Sequence, residues 1–143
     1  MQIIAAMPAY NEAHSIAKMV MGCKKYVDCV LVVDDGSSDA TAQIASSMGA
    51  RVVRHEKNAG YGAALKTCFE KAREMDAEGM VIIDADGQHD PDDIPKLLIP
   101  LRRGADMVIG SRFCNGNGKN IPAYRKIGMK VLDITTNIAG GIR

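Results

Sequence analysis

The stretch VLVVDDGSSDATAQIASSM, residues 30–48, contains an apolar run, an acidic turn and an amphipathic segment. Residues 30–33 are apolar and mostly β-branched, which predicts a buried strand. Asp39 is a typical residue for the N-terminus of the helix that follows. This unit of strand, polar turn and helix is the one from which the fold is built. The side chains of its helix that follow the i, i+3, i+4, i+7 spacing are Thr41, Ile44, Ala45 and Met48.

The same unit repeats on both sides of this stretch. Alternating strands and helices predict an α/β, Rossmann-like fold, with a mostly parallel sheet and helices on both faces. Ligands of such sheets lie at the carboxyl ends of the strands, so functional residues should follow the strands directly. The predicted strands are residues 3–7, 27–33, 51–54, 79–83 and 106–109, and a last helix is predicted over residues 122–139.

Length and composition fit one globular domain over residues 1–143. The chain is 47% hydrophobic and 24% charged, with a net charge of +1, which excludes a disordered or collagen-like protein. Its four cysteines include no C-x-x-C pair, and its apolar runs are far shorter than the roughly 18–20 residues of a membrane span. The N-terminus shows no secretory signal pattern. We therefore expect reduced thiols and a cytoplasmic protein.

The near-neutral total charge conceals an asymmetry along the chain. The first 100 residues carry ten Lys or Arg against fifteen Asp or Glu, whereas residues 101–143 carry eight against two. A basic final third is typical of a region that binds anions, although a solvated helix face gives the same pattern.

Polar residues follow the first two predicted strands. Pro8, Tyr10 and Glu12 follow the first strand, where Glu12 is either a ligand contact or a capping acid. Asp34 and Asp35 follow the second strand. Two adjacent carboxylates repel each other unless a donor or a cation shares them, so this pair favours a functional role.

The segment NAGYGAA, residues 58–64, follows the third predicted strand and opens a helix. It is not a Rossmann dinucleotide fingerprint, because Leu65 stands where the G-x-G-x-x-G pattern requires its last glycine. Close helix packing and a ligand contact both remain open for this segment.

The fourth predicted strand ends in a row of oxygen-bearing side chains. Residues i and i+2 of an extended chain point to the same side, so Asp84 and Asp86 can converge on one cation, and Gln88 continues the row. Such ligands suit Mg²⁺ or Mn²⁺ shared with phosphate oxygens. An EF-hand is excluded, because Gly87 is the fourth residue from Asp84 and not the sixth.

Arginines follow the fifth predicted strand. Arg112 comes directly after it, and Arg125 lies thirteen residues later. Guanidinium groups bind phosphate through paired N–H donors, so both are candidates for contacts to a diphosphate or to a phosphorylated acceptor. Taken singly, an arginine in such a position is more often a surface or ion-paired residue.

Taken in this order, the motifs resemble the family 2 inverting glycosyltransferases, which have a GT-A nucleotide-sugar-binding fold. The resemblance covers the whole chain and is greatest to the dolichyl-phosphate mannose or glucose synthases and their prokaryotic polyprenyl-phosphate relatives. It implies a nucleotide diphosphate sugar, either GDP-mannose or a UDP-sugar, as the donor substrate. The positions that match nucleoside-binding residues of the family are Pro8, Tyr10, Glu12, Val32, Asp34 and Asp35.

The resemblance also implies a metal site. Asp84, Ala85 and Asp86 match the D-x-D motif of the family, which holds the metal ion and the donor diphosphate, and Gln88 matches a further metal ligand. The implied cofactor is Mg²⁺ or Mn²⁺.

The implied reaction is a single inverting displacement at the anomeric carbon of the donor. Asp86, Arg112 and Arg125 are the implied catalytic residues, which stabilise the charge on the departing nucleoside diphosphate. The implied acceptor is a polyprenyl phosphate. This acceptor is already an anion at neutral pH and needs positioning rather than a general base.

Family members continue well past this length, so we expect a nucleotide-binding domain that is incomplete on the acceptor side. The expected setting is the cytoplasmic face of a membrane, with no nucleic-acid partner, and an uncovered sheet edge would favour a homo-oligomer. Two alternatives remain. One is a nucleotide-sugar-binding fragment without activity. The other is a response-regulator receiver domain, which shares the acidic pair and an aspartate about fifty residues later, here Asp84.

Overall fold

The computed structural model describes residues 1–110, and a four-stranded parallel sheet forms their centre. The strands are β1 (Ile3–Ala9), β2 (Cys29–Asp34), β3 (Arg51–Arg54) and β4 (Gly79–Ile82). Their order in the sheet is β3-β2-β1-β4, and every neighbouring pair is parallel. The mostly parallel sheet predicted from the sequence is confirmed.

Helices cover both faces of this sheet. They are α1 (Ile16–Cys23), α2 (Thr41–Ser47), α3 (Tyr61–Glu74) and α4 (Ile94–Arg102), with a 3₁₀ turn over Pro91–Asp93. Buried side chains of α1, α2 and α4 pack against one face, and buried side chains of α3 pack against the other. The predicted layering of helices on both sides of the sheet is confirmed.

The two central strands are buried on both faces, which explains why their sequences are almost wholly apolar. In β1, Ile3, Ala5 and Met7 face α1, α2 and α4, whereas Ile4 and Ala6 face α3. Each fully buried large aliphatic side chain contributes about 1.5–3 kcal/mol relative to exposure. A polar residue in these strands would therefore be costly, and the polar groups are confined to the strand ends.

The structure differs from the sequence prediction at the fifth strand. Residues 106–109 are not in a strand, and Met107 and Ile109 are 77% and 78% exposed. An alternating apolar pattern becomes a strand only where its apolar side chains are packed, and no described residue covers these two. The prediction of a strand there is wrong for the part of the chain that the structure describes. The helix predicted over residues 122–139 lies outside the described residues.

Within residues 1–110, no helix is both long enough and apolar enough to span a bilayer.

Candidate functional site

A cavity of about 410 Å³ lies at the carboxyl ends of β1 and β4, beside the start of α3. This is the edge of a parallel sheet at which ligands bind. Most of the predicted site residues within the described part of the chain line it. Those lining residues are Pro8, Tyr10, Glu12, Asp35, Asp84, Ala85 and Asp86.

The turn after β1 is held by side chains from the turn after β2. The backbone N–H of Asn11 donates to Ser37 Oγ at 2.9 Å, and that of Glu12 donates to Thr41 Oγ1 at 2.9 Å. Asp39 accepts from the backbone N–H of Thr41 at 2.9 Å, as expected for a residue at the start of α2. Hydrogen bonding to the Thr41 hydroxyl holds the pKa of Asp39 below its usual value. The polar residues of the GSSDAT segment therefore shape the cavity without lining it.

Asp35 is buried beneath the cavity, and three donors surround its carboxylate. His55 Nδ1 lies 2.6 Å from Oδ1, the backbone N–H of Ala59 donates to Oδ1 at 3.0 Å, and that of Gly60 donates to Oδ2 at 2.8 Å. Burial alone would raise the pKa of Asp35, but the hydrogen bonds from Ala59, His55 and Gly60 outweigh it and lower the pKa. The donor that the acidic pair was expected to need is thus supplied by the segment before α3.

Asp34 and Val32 do not line the cavity. Val32 is fully buried in the core, and Asp34 is fully buried at the end of β2. Asp34 accepts hydrogen bonds from the backbone and the hydroxyl of Ser37, and its other oxygen is ion-paired with Arg54 Nε at 3.2 Å without a well-aligned hydrogen bond. Their predicted contacts with the base and the ribose stay predictions.

Asp84 and Asp86 both line the cavity. The extended chain assumed for them is not present, since β4 ends at Ile82 and residues 85–86 form a turn. The hydroxyl of Tyr61 donates to Asp84 Oδ1 at 3.1 Å, and His89 Nε2 lies 3.5 Å from Asp84 Oδ2. Burial, together with the nearby Asp84 charge, raises the pKa of Tyr61. Asp86 Oδ1 accepts from the backbone N–H of Gln88 at 2.9 Å. The Gln88 side chain is exposed and does not line the cavity.

These two carboxylates fit a divalent cation by their chemistry, because they are hard oxygen ligands at one edge of the cavity. In residues 1–110, no group of three or more His, Cys, Asp or Glu side chains is arranged to hold a metal ion. An ion at Asp84 and Asp86 would therefore need further ligands from water or from a bound phosphate, which is the usual behaviour of Mg²⁺.

Ser15 joins the two sides of the cavity and was missed by the sequence interpretation. Its hydroxyl donates to the backbone oxygen of Ala85 at 2.6 Å, and it lies 3.1 Å from Glu12 Oε2. The available signal was its place directly before Ile16, where α1 begins, although there it makes no side-chain capping hydrogen bond. Its bond instead fixes the segment between Asp84 and Asp86.

The wall of the cavity also contains Asn58, Gly60 and Tyr61. The sequence left this segment open between helix packing and ligand contact, and the structure places it at the cavity. Arg112 and Arg125, the predicted phosphate-contacting residues, lie outside the described residues.

The family model described as "Glycosyl transferase family 2" matches residues 4–138. The chain therefore belongs to glycosyl transferase family 2, and the predicted resemblance is confirmed. The order β3-β2-β1-β4 also differs from the 2-1-3-4-5 order of receiver domains, so that alternative is excluded.

Curated relatives of known name include lipid-phosphate glycosyltransferases. An uncharacterized protein of Methanocaldococcus jannaschii is 40% identical over 98% of this chain and 59% of its own length. A UDP-N-acetylglucosamine–dolichyl-phosphate N-acetylglucosaminyltransferase of Methanococcus voltae is 35% identical over 97% of this chain and 63% of its own length. The chain thus spans about three fifths of the length of these relatives.

Solved structures show the same fold. Glucosyl-3-phosphoglycerate synthase from Mycobacterium tuberculosis, in complex with UDP, matches with a TM-score of 0.61 and 31% identity, over 72% of this chain and 40% of that chain. The same enzyme in complex with Mn²⁺, UDP and glucosyl-3-phosphoglycerate matches with a TM-score of 0.59. The predicted GT-A fold is confirmed.

Proposed function

We propose that this chain is the donor-binding part of an inverting glycosyltransferase that moves a hexose from a nucleotide diphosphate sugar to a polyprenyl or dolichyl phosphate. The observation that carries the proposal is the cavity at the strand ends, which brings the carboxylates of Asp84 and Asp86 together with Tyr10 and Glu12. In a family 2 chain, the side chains of this cavity suit a nucleoside at one end and a metal-bound diphosphate at the other.

Tyr10 and Asp35 suit the nucleoside end of the donor. The Tyr10 ring is 48% exposed and lines the cavity, so it offers a flat apolar surface for a base or ribose. Among residues 1–110, Asp35 Oδ2 accepts one hydrogen bond, from the backbone N–H of Gly60, and a carboxylate oxygen has room for a second donor. Asp35 can thus accept from an N–H or O–H group of the nucleoside.

The charge of the described lining favours a cation at the diphosphate end. Glu12, Asp35, Asp84 and Asp86 all line the cavity, whereas no Lys or Arg of residues 1–110 does so. A diphosphate would be repelled by these carboxylates unless a cation lay between them. Mg²⁺ or Mn²⁺ held by Asp84 and Asp86, together with water or phosphate oxygens, would neutralise the charge that grows on the leaving diphosphate. Gln88 could act as a further ligand only if its exposed side chain turned toward the cavity. The solved relative in complex with Mn²⁺ and UDP supports this proposal.

The basic final third of the chain suits the anionic groups of both substrates. We assign Arg112 and Arg125 to the diphosphate, where their guanidinium groups would stabilise the leaving group together with Asp86 and its metal ion. A lipid phosphate acceptor brings its own negative charge and attacks without losing a proton. Relatives named for dolichyl phosphate support this acceptor class. The protein would then work as a peripheral protein at the cytoplasmic face of a membrane, and a homo-oligomer is compatible with this role.

Nucleotide titration tests the donor site. We expect the chain to bind UDP or GDP in the presence of Mn²⁺, measured by calorimetry, and to bind much more weakly when EDTA removes the metal. Removing a residue that hydrogen-bonds to a metal ligand typically weakens metal binding by about 10–100-fold. Asp86→Asn removes a ligand itself, so it should weaken Mn²⁺-dependent nucleotide binding by at least a factor of this size. Asp76→Asn is the matched control, because Asp76 is exposed and lies outside the cavity. Absence of binding for both nucleotides, or undiminished binding in Asp86→Asn, would contradict the proposal.

Acceptor assays test the transfer step. Incubation with a radiolabelled nucleotide sugar should label polyprenyl phosphate and leave free sugars unlabelled. Labelling of free sugars alone would contradict the acceptor assignment. Nucleotide binding without any transfer would favour the alternative, a nucleotide-sugar-binding fragment.

A further inference from the structure

His55 lies directly after β3 and is held at both ends of its ring. Its Nδ1 lies 2.6 Å from Asp35 Oδ1, and its Nε2 lies 2.9 Å from Thr67 Oγ1 on α3. Its backbone N–H donates to the Asp34 carbonyl oxygen at 2.9 Å. The side chain is 20% exposed and does not line the cavity. His55 therefore bridges β2, β3 and α3 from behind the cavity wall.

The direction of the bond to Asp35 follows from the other partners. Asp35 already accepts from the backbone N–H groups of Ala59 and Gly60, so its carboxylate acts as an acceptor throughout. Nδ1 must then be the donor, which it is both in the Nδ1–H tautomer and in the protonated ring. Thr67 contacts the other ring nitrogen, Nε2, and this contact does not change which atom donates to Asp35.

Asp35 transmits this orientation to the cavity wall. Its two oxygens hold the amides of Ala59 and Gly60, and Gly60 has a φ of +93° directly before α3 begins at Tyr61. Tyr61 in turn donates to Asp84 Oδ1. If the carboxylate of Asp35 rotated, it would leave two backbone donors unpaired at the point where the wall changes direction.

We propose that His55 is a positioning residue of the donor cavity, which acts by donating from Nδ1 to Asp35 and so sets the wall formed by residues 58–61. In ligand binding its role rests on the function proposed above, because Asp35 and Tyr61 are then the groups that meet the nucleotide sugar. His55 itself does not line the cavity.

Four variants separate positioning from packing. His55→Ala removes both the donor and the volume, and His55→Leu restores volume without a donor. His55→Asn places an amide N–H close to the position of Nδ1, so it restores the donation to Asp35 but cannot reach Thr67. Thr67→Val keeps the shape of the Thr67 side chain and leaves the donor to Asp35 in place. A packing role predicts rescue by Leu, whereas a positioning role predicts rescue by Asn.

Amide hydrogen exchange of the full chain without ligand measures the wall directly. In His55→Ala and His55→Leu we expect exchange at Ala59 and Gly60 to accelerate by about tenfold relative to core amides of β1, which is the scale of one lost bond to a charged group. His55→Asn and Thr67→Val should stay within about threefold of the wild type. Unchanged exchange in His55→Ala, or rescue by Leu and not by Asn, overturns the proposal.

The same variants are then titrated with UDP and with GDP in the presence of Mn²⁺. We expect the dissociation constant to rise by about tenfold in His55→Ala and His55→Leu and to be restored in His55→Asn, in step with the exchange rates. Altered exchange with unaltered affinity overturns the role in ligand binding. If the wild type binds neither nucleotide, the proposed function fails, but the exchange rates still decide whether His55 sets the wall.

Discussion

The substitution Asp35→Asn replaces a buried hydrogen-bond acceptor with almost no change of shape. The carboxylate is 3% exposed and accepts from His55 Nδ1 and from the backbone N–H groups of Ala59 and Gly60. The side chain of Asn has the same size but only one oxygen, and its NH₂ group takes the place of the other. At that position the N–H donors of Asn face the N–H donors that the carboxylate had accepted. At least one of the three hydrogen bonds is lost, because the amide oxygen can keep the bonds from His55 and Ala59 only by turning its NH₂ group toward the N–H of Gly60.

The expected loss in the free energy of unfolding is about 2 kcal/mol, since a hydrogen bond to a charged group contributes about 1.5–3 kcal/mol and one is removed. The effect should also depend on pH. Hydrogen bonding lowers the pKa of Asp35 in the folded state despite its burial. As the pH falls, the Asp35 carboxylate is therefore protonated in the unfolded chain before it is protonated in the folded chain. The stability from Asp35 is fully present above the ordinary pKa of a free Asp, and it is lost as the pH falls through the lower folded pKa. The difference between wild type and Asp35→Asn should thus shrink in acid.

Urea unfolding followed by circular dichroism, repeated from neutral pH down to the acid limit of the folded protein, measures both parts of this prediction. Asp76→Asn serves as the control, because Asp76 is exposed at a φ of +52°, a conformation that Asn tolerates well. The control should remain within about 0.5 kcal/mol of the wild type. A loss below about 1 kcal/mol for Asp35→Asn at neutral pH, or a loss that does not shrink in acid, would refute the reasoning.

Three further predictions concern close contacts and burial. Gly36→Ala should lower the free energy of unfolding, measured in urea, by about 3 kcal/mol. The φ of Gly36 is +73°, and a Cβ there would lie 2.6 Å from the carbonyl carbon of Lys57. A neutral effect would contradict this close approach. Gly22→Ala should lower the free energy of unfolding by about 1 kcal/mol in the same assay. A Cβ would lie 2.7 Å from Pro91 Cγ, and the better helix propensity of Ala offsets only part of that strain. Stabilisation would count against the tight packing of α1 on the 3₁₀ turn. Burial raises the pKa of the Cys68 thiol to about 11. At pH 8, iodoacetamide should therefore label Cys68 about 100-fold more slowly in the folded chain than in the urea-unfolded chain. Equal labelling rates, measured by mass spectrometry, would contradict its burial.

Much of the candidate site could be predicted because it follows the strands in sequence. Pro8, Glu12, Asp84 and Asp86 are all within a few residues of a strand end, and parallel strands bring their carboxyl ends to one edge. The extended-chain argument does not explain why Asp84 and Asp86 both line the cavity, because β4 ends at Ile82 and residues 85–86 form a turn.

The parts that sequence reasoning missed depend on partners far apart in the chain. Asp34 and Asp35 are identical neighbours in the sequence, yet one is paired with Arg54 away from the cavity and the other lies beneath it. Successive side chains of a strand point to opposite faces, so which of the two meets the cavity depends on the register of β2 against β1 and β3. The predicted strand over residues 106–109 was wrong for a related reason, because an alternating pattern does not specify a packing partner.

The sequence by itself determined the class of fold, the edge of the sheet that holds the site and the chemistry of its acidic residues, because hydrophobic periodicity and strand–helix alternation are local properties. Only the tertiary structure decided which polar side chains meet. The donations from His55 to Asp35 and from Ser15 to Ala85 join residues 20 and 70 positions apart. Such bonds form because a buried polar group must find a partner within about 3 Å, and only the packing of the whole chain determines which partner is there.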